Sequence, residues 1–132
     1  MLEWKTDYET GVPELDAQHK VLFDTINRLG KLLERPEIER SKVGYLLASL
    51  EDYAGRHFNG EETCMARFQC PAHGRNKKEH EMFLHILGIA RGEFESTTAP
   101  KEVLERLHES MVWWISDHIL KVDVQLKSCV GN

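Results

Sequence analysis

The chain has 132 residues, 41% of them hydrophobic and 30% charged, the balance of one soluble domain and not of a disordered tail, a collagen-like repeat or a membrane protein. A formal net charge of −5 sets most of the surface against a polyanion, which argues against nucleic acid as a partner. No apolar stretch approaches the roughly 20 residues that cross a bilayer, and the N-terminal MLEWKTDYET lacks the basic-then-apolar layout of a secretory signal, so no membrane association and a cytoplasmic location are expected.

Residues 1–14 read as an arm, with Trp4 and Tyr8 available to dock on whatever follows. The first helix is expected over about 15–34, where Leu15, Leu22, Ile26, Leu29 and Leu33 recur at helical spacing, His19 fills the missing step, and Pro36 lies beyond the end. The second spans about 38–68, with Val43, Leu46, Leu47, Leu50, Tyr53 and Ala54 on one face that continues into His57, Glu61 and Met65 until Cys70-Pro71 breaks it. A third, about 74–95, carries His80, Phe83, Leu84, Leu87, Ala90 and Phe94. After the STTAP loop a fourth covers about 101–127, with Leu104, Leu107, Met111, Trp114 and His118 on one stripe. No run alternates at period two for long enough to suggest a sheet. The fold class is therefore all-α, an antiparallel up-down-up-down four-helix bundle with an N-terminal arm, forming one domain.

Some polar features read as ordinary. The basic run Arg75, Lys77 and Lys78 suits a solvated stretch of helix, and His85 and His108 fall well off their helices' apolar stripes, facing solvent. Cys64, Cys70 and Cys129 stand at no disulfide-framework spacing and are expected as reduced thiols; Cys70 with His73 lacks the second close pair that a zinc site would show.

Each helix nevertheless puts a histidine into its own core-facing stripe: His19, His57, His80 and His118. A single such imidazole is more often a satisfied core residue than a ligand, but four joined by two acids ask for another account. His57 and Glu61, four apart, share a helix face. His118 and Asp123, five apart, do so only if the turn between them widens. Burying Glu61 and Asp123 without a cation costs several kcal/mol each by the usual desolvation estimate, roughly what a bound metal removes. Imidazole plus carboxylate suits iron, manganese or zinc, and two carboxylates able to bridge suggest a pair of ions.

The sequence at this point resembles the hemerythrin family, and its bacterial hemerythrin-like domains in particular. The resemblance rests on LDAQHKVLFDTINRL around His19, HFNGEE from His57 followed by Met65, KKEHEMF around His80 and WWISDHILKVD ending at Asp123, together with Trp4 and the GVPELD lead-in. It implies a non-haem di-iron centre, oxo- or hydroxo-bridged when ferric. His19 and His57 would hold one ion, His80 and His118 the other, and Glu61 and Asp123 would bridge them. One position departs from the family pattern, because Asn76 stands where a further histidine usually precedes the one matching His80. Its amide oxygen could coordinate weakly, His73 could substitute, or water could fill the place; helix spacing puts His73 too far unless the loop before the helix folds back, and water or an exchangeable ligand, with Asn76 hydrogen-bonded to it, is expected.

The resemblance further implies reversible dioxygen binding at the ion flanked by His19 and His57, with Phe23 and Trp114 as candidate walls of the gas pocket. An opened shell beside Asn76 should speed oxidation and admit small anions or nitric oxide, which suits a sensor of oxygen or redox state with an output domain following Asn132 in a longer chain. A stand-alone oxygen carrier or store is the alternative, as is an oxidase or peroxidase that uses the open iron; the domain itself is not expected to be an enzyme.

Overall fold

A computed structural model describes residues 1–130 of the chain; Gly131 and Asn132, where the expected junction with an output domain falls, lie outside the described residues. Its helices are α1 (Pro13–Leu33), α2 (Arg40–Arg67), α3 (His73–Ser96), α4 (Pro100–Lys121) and the short α5 (Leu126–Val130). There is no strand among the described residues. Each long helix packs against two others, α1 on α2 and α4, α3 on α2 and α4, which is the closed up-down-up-down arrangement. No helix among the described residues is long and apolar enough to cross a membrane.

Local chemistry sets the boundaries. Pro13 and Pro100 open α1 and α4 with backbone already committed to the helical φ and no amide to lose. Helix α2 closes in a Schellman turn, with the Cys70 amide donating to the Met65 carbonyl and that of Gln69 to Ala66. Gln69 takes the left-handed position of that turn at φ 53°. The arm is tied to α1 twice. Leu2 exchanges backbone hydrogen bonds of 2.9 Å with the Asn27 side chain, and Asp16 accepts from the Thr10 amide and hydroxyl. Tyr8 is buried and Trp4 half-buried on that surface.

The interior is divided. A large apolar cluster includes Leu22, Ile26, Leu47, Leu50, Leu87, Leu104, Met111 and Ile119, while a smaller one at the end of the bundle joins Leu15, Met65, Cys70, Ala72, Val122 and Leu126. Along α1 and α2, and along α3 and α4 with the flanking Ala72 and Val122, the buried polar residues stand between members of one cluster and members of the other. Helical spacing thus places His19, Glu61, Asn76 and His118 in one layer between two dry ones.

Three expectations need correction. The fourth helix does not run to residue 127. It stops at Lys121, and a 3-10 turn over Asp123–Gln125 precedes α5. Cys70 and Cys129 are not free thiols but a disulfide across the small cluster, with their Cα atoms 5.7 Å apart; Cys64 alone is free. His108 is half-buried, because α1 carries Gly30 opposite it and the absent side chain leaves room for an imidazole. His85 is exposed, as are Arg75, Lys77 and Lys78.

Candidate metal centre

His19, His57, Glu61, His80, His118 and Asp123 meet in the polar layer, each no more than 3% exposed. They form two groups able to hold a metal ion, His19 with His57 and Glu61, and His80 with His118, Glu61 and Asp123. Glu61 turns Oε2 towards the Nε2 atoms of His19 and His57, at 3.1 and 3.3 Å, and Oε1 towards that of His80 at 3.1 Å. Asp123 repeats the division, with Oδ2 3.2 Å from His19 Nε2 and Oδ1 3.0 Å from His118 Nε2. Each carboxylate therefore spans both groups.

Asp123 can do this because α4 ends early. On a continued helix it would lie about 140° around from His118. The break after Lys121, where Val122 still donates to the His118 carbonyl, turns the 3-10 segment inward instead.

Behind the cluster, His57 Nδ1 is 2.6 Å from Gln18 Oε1, His80 Nδ1 is 3.0 Å from Glu62 Oε2, and His118 Nδ1 is 2.8 Å from Glu79 Oε1. All three partner oxygens only accept, so these Nδ1 atoms carry the protons and each neutral ring presents a bare Nε2 to the centre. Those lone pairs face carboxylate oxygens, acceptor against acceptor, and His57 Nε2, both oxygens of Glu61 and Asp123 Oδ1 have no hydrogen bond of acceptable geometry. A cation resolves that arrangement, and the mixed imidazole and carboxylate set fits iron.

The electrostatics carry the same demand for positive charge. Burial opposes a proton on His19, yet Asp123 and Glu61 overcome it and raise its pKa to about 10. Burial likewise opposes charge on His118, and Asp123 with Glu79 outweighs it, so its pKa also rises. For His57 burial wins and the pKa falls. Burial would push the Glu61 carboxyl upward, but the protonated His19 beside it holds it well below the ordinary value.

Aromatic rings wall the layer. Phe58 stacks on His80 with centroids 3.8 Å apart, and Trp114 lies parallel to His118 at 4.5 Å. Trp114, expected beside His19 and His57, stands instead on the His80 and His118 side, because its turn of α4 faces α3 and Phe83. Phe23 is buried one turn from His19, against Trp4 and Tyr8. His73 opens α3 half-exposed, whereas Asn76 is fully buried with Oδ1 2.8 Å from His118 Nε2.

Sequence reasoning missed Gln18, Glu62, Glu79 and Phe58. A usable signal existed: each lies next in sequence to a cluster residue, and a neighbour about 100° around the helix faces the adjoining helix. Gln18 beside His19 thus serves His57, Glu62 beside Glu61 serves His80, and Glu79 beside His80 serves His118.

Comparison with known proteins agrees with this geometry. The family model "Hemerythrin HHE cation binding domain" matches residues 10–129. A bacteriohemerythrin of Methylococcus capsulatus is 29% identical over 132 residues, covering 99% of this chain and 98% of that protein. One from Clostridium acetobutylicum is 27% identical over 128 residues, with 93% and 96% covered. A crystal structure of wild-type hemerythrin superposes with a TM-score of 0.87 at 28% identity, covering 100% of this chain and 99% of the other.

Proposed function

The chain belongs to the hemerythrin family of non-haem di-iron, oxygen-binding proteins, and we propose that it uses its centre to sense oxygen or redox state as the sensory domain of a signalling protein. In this reading His19 and His57 hold one iron, His80 and His118 the other, and Glu61 and Asp123 bridge the two. The observation that carries the assignment is the division of each carboxylate, one oxygen to each imidazole pair. When bound, a ferrous pair supplies two electrons and an open coordination position, the requirements of reversible dioxygen binding.

The surrounding residues supply the rest. Gln18, Glu62 and Glu79 fix three imidazoles in the tautomer that leaves Nε2 free, and the two carboxylates strengthen His80 and His118 as donors. Phe58, Trp114 and Trp4 stack on His80, His118 and His19 and keep bulk water from the layer.

Two features favour sensing over storage. Asn76 takes a place beside His118 where a nitrogen ligand would hold the oxidised pair more firmly, which suits a short-lived oxygenated state. The Cys70–Cys129 bond adds a second redox-responsive element at the same end of the bundle. In the cytoplasm, where this reading puts the domain, such a bond is characteristically transient and tied to redox sensing. Small anions and nitric oxide are further ligands of an accessible iron, and an output domain in a longer chain would read the state.

Iron analysis and visible absorption of the anaerobically reduced protein, before and after air, test the proposal. Two irons per chain, ferric bands on oxygenation and a longer oxygenated lifetime in Asn76→His are expected. A long-lived oxygenated state in the native chain, unchanged in that variant, would make it a carrier or store, and peroxide turnover above a free-iron control would make it an oxidase or peroxidase.

A further inference from the structure

We infer that the side-chain oxygen of Asn76 is itself a ligand of the ion held by His80 and His118, so that this chain fills that position with an amide and not with water or His73. The inference rests on the reading of the cluster as a metal centre.

Asn76 is fully buried on the first turn of α3, and an interior amide needs partners for its oxygen and its nitrogen. Its Nδ2 has none. Its Oδ1 faces only His118 Nε2 at 2.8 Å. With the His118 Nδ1 proton given to Glu79, that Nε2 is a lone pair in the neutral ring. It is set against three acceptors at once: Asn76 Oδ1, Asp123 Oδ1 at 3.0 Å and His80 Nε2 at 3.2 Å. One proton on His118 could satisfy one of these contacts. A cation at their common centre satisfies all of them.

The distances have the right size for this. Two ligand atoms at right angles around a first-row ion, with bonds of roughly 2.1 Å, stand roughly 3 Å apart. The separations from His118 Nε2 to Asn76, Asp123 and His80 lie at 2.8–3.2 Å, and that between His80 Nε2 and Glu61 Oε1 is 3.1 Å. Asn76 Oδ1 thus takes a place on the same polyhedron as the other four donors. His73, at the mouth of α3 and half-exposed, contributes no atom to it.

The consequence is an inequality between the two positions. His80, His118, Asn76, Glu61 and Asp123 provide one ion with five donors, whereas His19, His57, Glu61 and Asp123 provide the other with four. The place for an external ligand belongs to the His19 and His57 side, even though an oxygen has replaced a nitrogen on the far side.

Anaerobic ferrous titration of the metal-free full chain, with infrared difference spectra of protein carrying 13C-labelled asparagine, tests this. The native chain should take up two irons, and loading should move one asparagine carbonyl band. In Asn76→Ala one of the two sites should weaken by about tenfold or more while the other is unchanged, and that band should vanish. Asn76→Asp, which keeps an oxygen at the same reach, should retain both irons. If the native chain binds two irons but no asparagine band moves, or Asn76→Ala binds both as tightly, Asn76 is not a ligand and the metal centre stands without it. A native chain that binds no stoichiometric iron would overturn the centre and this inference together.

Discussion

At the scale of single residues, His19 shows how the centre prepares for a cation. With a pKa raised to about 10 by Asp123 and Glu61 against burial, the metal-free protein holds a proton there at neutral pH. This raised value stabilises the metal-free fold fully below the unfolded value near 6.5, and the contribution is lost as pH climbs through about 10. In the proposed assignment iron displaces that proton, so loading should release roughly one proton per chain in weakly buffered solution, and affinity should rise with pH across the neutral range. Uptake without acidification would contradict this. Gly30 makes a separate point. A Cβ there would come within 2.8 Å of His108 Nε2, so Gly30→Ala should cost about 1–3 kcal/mol in denaturant unfolding, and much less in a His108→Ala background. The burial of His108, which lowers its pKa, could not be read from its own helix, since the cause is a missing side chain on another.

At the scale of elements, periodicity carries most of the information. The four long helices, and the meeting of their histidines in one layer, are legible because apolar packing alone does not put an imidazole into the buried stripe of every helix. Where the sequence misleads, tertiary contacts decide the structure. The apolar stripe of α4 gives no sign of ending at Lys121; only the five-residue spacing of His118 and Asp123 hints at it, and the 3-10 turn after the break is what brings Asp123 to His19 and His118. Trp114 shares the stripe of His118, but which neighbour it leans on depends on the packing of α3 beside it. The pairing of Cys70 with Cys129 is invisible for the same reason, as it depends on α5 folding back over the turn after α2. That turn offers its own test. Gln69 holds a left-handed conformation at a cost of roughly 1–2 kcal/mol, so Gln69→Gly should raise stability by about 0.5–1 kcal/mol after the flexibility of glycine is counted. An unchanged midpoint in urea would show that Gln69 bears no such cost.

At the scale of the whole molecule, two dry clusters clamp a layer of polar side chains, several of which are left without partners until a cation sits among them. The disulfide reinforces the smaller cluster. It joins residues 59 apart, and by the chain-entropy relation such a link is worth about 4 kcal/mol, so Cys129→Ser should lower the unfolding free energy by about 2–4 kcal/mol under oxidising conditions. Reduction of the native protein should reproduce that loss and leave the variant unaffected. The same bond also draws a covalent boundary through the centre. Asn76, His80, His118 and Asp123 all lie inside the ring it closes, while His19, His57 and Glu61 lie outside. Even a denatured oxidised chain keeps four of the five proposed donors of one ion, all but Glu61, on a tether, and a reduced chain must gather them from free polymer. On the proposed assignment the half-site within the ring thus has a head start in capturing iron during assembly, and an oxidant that closes the ring would favour filling that position before its neighbour.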